Sequence, residues 1–363
     1  MFELSKELKA IKARSGNLEV YEQDIHKRLG ALEVGLAGIK NGSAGTSGAQ
    51  NEKLAKLVGL LPVEEDPVGG GVVDVALLEA DHIGAGGSGR NGGQLGSGQR
   101  MDQDDLEKLL GNADAKMLWH LAEDGKALVK NLIHRHKIDC DLKPGVAHTA
   151  SSRRDVDDLH RYADHLQTRY GYDQIETLDA DACHALCPSP AYKGGTLDWG
   201  AAHLHPLNYA LGLGRATASA GVRIFEETHV HHIAEGAPAT VQTDKGRVIA
   251  DHVILACNGY LGGLNRKVAA RVMPINNFIV ATEPLGAETA QVLSRDVAVA
   301  DSKFVVNYFR LSADGRLLFG GGESYGYSFP DDIAALVRKP MTQIYPHLAD
   351  VRIDYAWGGT LAI

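Results

Sequence analysis

An apolar run, Val75-Ala76-Leu77-Leu78, ends in Glu79 and passes a few residues later into Ile83-Gly84-Ala85-Gly86-Gly87-Ser88-Gly89-Arg90-Asn91-Gly92-Gly93-Gln94. A carboxylate carried by the end of such a strand can accept hydrogen bonds from ribose hydroxyls. Glycines let backbone approach a large flat ligand where a β-carbon would collide. Together the two features suggest a site for a nucleotide cofactor; the plainer alternative is a strand followed by a flexible turn. Arg90, Asn91 and Gln94 are the polar side chains among the glycines. A guanidinium there could hold an anionic group or stabilise negative charge developing on a ring, the alternative being a loop arginine paired at the surface.

The run Ser88-Gly89-Arg90-Asn91-Gly92-Gly93-Gln94 after Leu78-Glu79-Ala80 resembles the flavin-binding segment of the glycine and D-amino-acid oxidase superfamily of FAD-dependent amine oxidoreductases. Further segments resemble that family in its own order. They are Ile138-Asp139-Cys140-Asp141 with Pro144-Gly145, Gly194-Gly195 through Leu204-His205-Pro206-Leu207-Asn208, and Val253-Ile254-Leu255-Ala256-Cys257-Asn258-Gly259-Tyr260. Tyr308-Phe309-Arg310-Leu311, Asp314-Gly315-Arg316-Leu317-Leu318-Phe319-Gly320-Gly321 and Tyr355-Ala356-Trp357-Gly358-Gly359-Thr360 complete the series. The resemblance runs from Val73 to Ile363.

The resemblance implies FAD as cofactor and oxidation of an amine, with gamma-glutamylputrescine or a similar amine as the first expectation. Hydride leaves the carbon beside a neutral nitrogen for the flavin N5, water hydrolyses the imine, and O2 reoxidises the flavin. It further implies that Glu79, Ala80, Ser88, Gly89, Arg90, Asn91, Gly92, Gly93 and Gln94 contact the cofactor. Val230 would do so through its backbone, with Ala256, Asn258 and Gly259 on a second turn and Trp357, Gly358 and Gly359 under the ring. Arg90 is the first candidate for a catalytic electrostatic role, and Tyr308 and His205 follow. A strand tyrosine can equally be packing, and His205 before a proline can equally cap a helix. A sarcosine, glycine or D-amino-acid oxidase is the neighbouring alternative.

Two departures from the family pattern bear on activity. Gly69-Gly70-Gly71 looks like a remnant of the GxGxxG turn, yet only Val72 to Leu78 separate it from Glu79. A crossover helix and a parallel strand need a dozen residues or more, so the helix that would face the pyrophosphate is expected to be missing. The family also continues beyond the segment that ends here at Ile363. A truncated, catalytically inactive family member fused to a self-associating segment is therefore an alternative expectation.

The elements that must position these groups follow from periodicity. Helical spacing runs over Asp104 to His136 with a break near Gly111-Asn112, then over Arg153 to Arg169 and Pro206 to Ala220. Strand patterns run over Val146 to Ala150, Val222 to Phe225, His229 to Ile233, Arg247 to Ala256, Asn277 to Ala281, Phe304 to Leu311, Leu317 to Gly320 and Ile353 to Trp357. Val253 to Ala256 is expected to join Val75 to Leu78 in one sheet. The fold class expected is mixed α/β: an incomplete, Rossmann-like FAD-binding domain with an inserted antiparallel-sheet substrate domain. Its flavin parts are residues 68–137, 203–272 and 347–363, and its substrate parts are 138–202 and 273–346.

Residues 1–40 carry a seam from Leu4 and Leu8 to Leu36 and Ile39 at alternating steps of four and three, apolar but for Ser15 and Glu22. That spacing reads either as a coiled coil supporting a homo-oligomer or as an amphipathic helix on the protein's own core. Residues 41–67 read as a flexible linker and a short helix. The chain holds 37 basic and 46 acidic residues, a net −9, and is 44% hydrophobic without a membrane-length run. Nucleic-acid and membrane partners are not expected on that balance, and a cytoplasmic location is. Cys140, Cys183, Cys187 and Cys257 read as free thiols. Cys183-His184-Cys187 lacks a second ligand pair for zinc, and His229 and His231 fall on one strand face.

Overall fold

The computed structural model describes residues 74–362. By its contacts the chain divides into two units, Met1–Val68 and Gly69–Ile363, and the described residues belong to the second. The heptad-like seam of residues 1–40, the linker of 41–67 and the remnant turn Gly69-Gly70-Gly71 lie outside the described residues.

The first half holds β1 (Ala76–Leu78), α1 (Gly87–Arg90), β2 (Gln94–Leu95), α2 (Gln103–Leu110), α3 (Asn112–Arg135), β3 (Lys143–Ala150), α4 (Arg153–Tyr170), β4 (Ile175–Leu178), α5 (Ala180–Leu186) and β5 (Gly194–His203). Then come α6 (Pro206–Ser219), β6 (Arg223–Phe225), β7 (Val230–Ala234), β8 (Ala239–Thr243), β9 (Gly246–Ala250), α7 (Arg266–Ala269) and β10 (Pro274–Pro284). The last elements are β11 (Ala298–Asp301), β12 (Tyr308–Leu311), β13 (Arg316–Tyr325), α8 (Ile333–Ile344) and β14 (Ile353–Ala362). Mixed α/β architecture is therefore present, as the interleaved periodicities imply.

Local chemistry accounts for several boundaries. The Ser152 side chain accepts from the Asp155 amide to open α4, and Gly171 in the left-handed region closes it, so cap and stop bracket the predicted helix. Gly111 separates α2 from α3 with φ +85°, at the break read from sequence.

The described strands form three sheets. A nine-stranded sheet has the order β14-β10-β13-β12-β11-β3-β5-β2, with β4 also on β5; β1 pairs in parallel with β6; and β7, β8 and β9 form a third sheet. The large sheet packs against α8, where Val337, Met341 and Ile344 are fully buried. Phe309 and Phe319 stack on its inner face with centroids 5.6 Å and planes 4° apart, and Tyr345 meets Phe309 edge-on. Such aromatic pairs contribute roughly 0.5–1.5 kcal/mol each beyond the area they bury.

Three strand expectations need correction. The run Arg247 to Ala256 is a strand only as β9, and Val253 to Ala256 has no regular structure and does not join β1. Among the described residues β1 pairs only with β6, so no ladder reaches the 253–256 backbone, and β-propensity without a partner does not make a strand. Phe304 stands 91% exposed ahead of β12, which begins only at Tyr308. Conversely, β5 runs ten residues, Gly194–His203, where no strand is expected from the sequence pattern. Almost all of β5 is buried, so it lacks the alternation by which a half-buried strand is recognised.

A buried charged cluster ties the segment after β2 to this frame. The Lys126 ammonium lies 2.7 Å from Glu123 and donates to Ser97 Oγ at 2.6 Å. Ser97 in turn meets the Tyr172 hydroxyl at 2.8 Å, and that hydroxyl donates to Asp198. The rings of His229 and His231 come within 4.8 Å of each other, consistent with a shared face. Among the described residues no helix is long and apolar enough to cross a membrane.

All four cysteines are free; Cys140, Cys183 and Cys187 are buried and Cys257 is half-buried. Burial raises each thiol, Cys187 to about 12. A thiol reagent at neutral pH is therefore expected to label Cys257 first in the folded chain, and all four only after denaturation. Peptide mapping of the labelled chain checks this; fast labelling of Cys183 or Cys187 would contradict the packing.

Candidate functional site

The acid-tipped strand and the glycine-rich segment are positioned by different parts of the chain. Glu79 leaves β1 with its amide bonded to the Phe225 carbonyl at 2.9 Å, while its own carbonyl accepts the Thr228 amide at 2.8 Å. Its Oε1 accepts the Asp81 amide at 3.0 Å, and Oε2 has no hydrogen bond among the described residues. Ala80 lies exposed in the bend that follows. Thr228 leads into Val230, which pairs with Thr243 in the third sheet, so one backbone bond brings this stretch beside the Glu79 strand end.

The run 87–90, expected as open loop, forms the short helix α1. Asn91 closes it by donating to the Gly87 and Ser88 carbonyls at 3.0 and 2.9 Å, and its Oδ1 accepts the Gly93 amide at 2.8 Å. Ser88 is exposed and Gly89 half-buried within that turn. Gly93 exchanges backbone with Leu204, whose amide donates to the Gly93 carbonyl at 2.8 Å. Gln94 starts β2 opposite His203, and its amide nitrogen donates to the Val299 carbonyl at 2.9 Å.

The helix rests on β14. Trp357 Nε1 donates to the Arg90 carbonyl at 3.0 Å, the Arg90 guanidinium turns to the Ala85 and Gly358 carbonyls, and the Gly359 β-position faces Gly87 and the Arg90 stem. The turn holding Asn258 and Gly259 closes the far side. Asn258 Oδ1 accepts the Ala362 amide at 2.7 Å, and the Tyr260 hydroxyl accepts the Thr360 amide at 3.0 Å. Exposed Ala256 precedes that turn. Burial, and after it the charge of nearby Glu79, raise the adjoining Cys257 thiol. The turn thus joins the acid to the helix.

Between α1 and the large sheet lies a small hollow of about 10 Å³, room for about one water molecule, lined by Asn91, Gly92, Ile279, Tyr308, Arg310 and Trp357, among others. Tyr308 reaches across it to donate its hydroxyl proton to Asn277 Oδ1, and burial pushes that phenol above its ordinary range, so it stays protonated. Arg310 is only 4% exposed; its Nε donates to the Gly92 carbonyl at 3.0 Å and Nη1 to the Leu311 carbonyl at 3.2 Å. Burial pulls its guanidinium down, against the opposing pull of Asp141 and Asp296.

The structure therefore gathers most of the residues singled out from sequence, with two qualifications. His205 Nδ1 accepts the Asn208 amide at 3.3 Å and caps α6. Arg90 bonds outward to carbonyls. Arg310, which sequence reasoning passed over, lines the hollow, and Asn277, also passed over, accepts the Tyr308 hydroxyl proton. Arg310 is a charged residue within an otherwise apolar strand, and that was the available signal, whereas Asn277 follows Asn276 and carries none.

Comparison with known proteins supports a common origin for this arrangement. The family model described as FAD dependent oxidoreductase matches residues 68–363. The chain is 41% identical over 297 residues to a probable oxidoreductase OrdL of Rhizobium meliloti (strain 1021), covering 80% of this chain and 68% of that protein. It is 39% identical over 292 residues to the gamma-glutamylputrescine oxidoreductase of Escherichia coli (strain K12), with the same two coverages of 80% and 68%. Among solved structures, glycine oxidase from Geobacillus kaustophilus superposes with a TM-score of 0.64 at 21% identity, over 80% of this chain and 76% of that one.

Proposed function

Because the chain belongs to the FAD dependent oxidoreductase family, we propose that it oxidises an amine of the gamma-glutamylputrescine type, held at the face where α1 meets the large sheet. The observation that carries this reading is the convergence of Gly92, Tyr308, Arg310 and Trp357 on one hollow beside the helix that Arg90 and Asn91 close.

The residues present fit FAD at two places. Glu79 offers a carboxylate oxygen without a hydrogen bond among the described residues at the end of a strand, suited to the ribose hydroxyls, and Asn91 and Gly92 of the glycine-rich run border the small hollow beside which a ring would rest. Bound there, FAD supplies the hydride acceptor. The segment around Gly69 to Gly71 lies outside the described residues, and no residue is assigned to the pyrophosphate.

The chain's own groups would do the rest. The Tyr308 hydroxyl gives its proton to Asn277 and so keeps a lone pair with which to accept an amine N–H. Ile279, Leu318 and Trp357 present apolar surface that keeps water from the reacting carbon. Holding substrate and acceptor in register is the main contribution asked of the protein.

Incubating the purified chain with FAD and testing gamma-glutamylputrescine, sarcosine, glycine and a D-amino acid for peroxide release decides the reading. Turnover best with the glutamylated amine is expected. Preference for sarcosine or glycine would move the substrate class, and a chain that takes up no flavin would support an inactive family member. Glu79→Ala is expected to weaken FAD binding by about tenfold, the worth of one or two charge-assisted hydrogen bonds. Flavin fluorescence titration measures this, and equal affinities would remove Glu79 from the ribose.

A further inference from the structure

Strand β13 carries one residue more than its partner β10 just beyond Tyr308. Ile279 pairs with Gly320 and Asn277 with Glu323, so three steps along β13 match two along β10. A regular strand alternates faces and would turn Glu323 to the face opposite Gly320. The extra residue reverses this. The β-positions of Gly321 and Gly322 both face α8, 3.5 Å from Pro340 and 3.4 Å from Leu336, and Gly322 takes φ +78°, where a side chain would be strained. Glu323 therefore shares the face of its cross-strand neighbour Asn277, whose Oδ1 accepts the Tyr308 hydroxyl proton.

The carboxylate brought to that face has no cation. Among the described residues half-buried Glu323 makes no ion pair; its Oε1 accepts the Tyr325 hydroxyl at 2.8 Å, and Oε2 has no hydrogen bond. Other acids of the same sheet are committed: Asp354 and Glu283 to arginines, Asp198 and Asp301 to backbone amides. Tyr325 stands 61% exposed beside Glu323 and adds an aromatic face, which attracts alkylammonium groups as a carboxylate does. A carboxylate partly removed from water gains most from a cation that brings its own N–H donors.

On the reading that an amine is oxidised at this face, we propose that Glu323 binds a second, charged ammonium group of the substrate whose first nitrogen lies at Tyr308. Tyr308 pairs with Gly320, one same-face row from Glu323, and such rows lie about 7 Å apart along the strands. A four-carbon chain bridges that step. The substrate class is then an amine that carries a further cationic nitrogen, to which gamma-glutamylputrescine belongs through its α-ammonium group. Glu323 selects which amines are held and takes no part in hydride departure.

Isothermal titration calorimetry on the full chain tests this with 1,4-diaminobutane and N-acetyl-1,4-diaminobutane, which keeps the four-carbon spacing and loses the second charge. The native chain should bind the diamine about fivefold to tenfold more tightly, between the worth of an exposed ion pair and that of a charge-assisted hydrogen bond out of water. Glu323→Gln, which keeps an acceptor for the Tyr325 hydroxyl, should bind both amines alike. With flavin loaded, the same preference should appear in KM. Equal native affinities, no native binding of the diamine, or a preference that survives in Glu323→Gln would each overturn the proposal. The native comparison stands even where the variant fails to fold. A preference lost in Glu323→Gln without amine-dependent flavin reduction in the native chain would retire the oxidase reading and keep the cation site; turnover with the preference intact in Glu323→Gln would do the reverse.

Discussion

Gly93→Ala is expected to destabilise the folded chain by about 3–5 kcal/mol, the range reserved for a strained backbone combined with a hard clash. Gly93 has φ +77°, and a β-carbon there would lie 2.0 Å from the Leu204 carbonyl oxygen. Neither neighbour can yield cheaply. Leu204 is bonded through its amide to the Gly93 carbonyl at 2.8 Å, and Gly93's own amide is held by Asn91 at 2.8 Å. The methyl group must therefore push α1 and β2 away from the start of α6, which separates Arg90 and Asn91 from Trp357. Urea unfolding should show the midpoint fall, and the same preparation should lose flavin affinity. A variant with the native midpoint would mean that Gly93 does not adopt this conformation.

The second large effect is expected from Gly320→Ala, and it should fall on activity more than on stability. A β-carbon at Gly320 would lie 2.1 Å from Cζ of Tyr308 and 2.6 Å from its hydroxyl oxygen. The tyrosine ring, being a side chain, can swing aside where a carbonyl could not, so folding should survive at a cost of about 1–3 kcal/mol. The displaced ring gives up its bond to Asn277 and enters the hollow beside Gly92, whose β-position is itself only 2.6 Å from Tyr308 Cε2. Misplacing groups by an ångström at a reacting centre costs on the order of a hundredfold in rate, and a fall of that size in kcat/KM is expected. Tyr308→Phe, which keeps the ring and removes only the hydroxyl, should lose about tenfold or less. Equal losses in the two variants would show that the hydroxyl, and not the ring's position, is what matters.

Helix α4 was legible because all its determinants are near in sequence: an apolar stripe of period 3.6, Ser152 as cap and Gly171 as stop. The same holds for the break at Gly111 and for the start of α6, where His205 and Pro206 form an N-terminal signal. The role of His205 was then decided by that local geometry and not by its place within a motif series. The segment 253–256 shows the opposite limit. Its apolar residues have strand character, but a strand is a pairing, and among the described residues no partner lies beside it. β5 was passed over for the opposite reason: neighbours on both sides bury it along almost its whole length, and the alternation that marks a strand is lost.

The glycine run illustrates a further distinction. The need for small residues at 92 and 93 was evident from composition, but the atoms that require them there are those of Tyr308 and Leu204, more than a hundred residues away. Likewise an arginine near the ring was expected at Arg90. The folded chain turns Arg90 toward carbonyls and gives the wall of the hollow to Arg310.

By itself the sequence determined the family, the mixed α/β class, the positions of the principal helices and the chemical types available to the site. These depend on short-range periodicity, capping and the identity of side chains, which the chain carries locally. Tertiary structure alone decided which strands found partners, which glycines face protein atoms and which arginine was buried beside the hollow. Those outcomes depend on contacts between residues far apart in the chain, and the energies of desolvation and pairing that select them exist only once the chain has closed on itself.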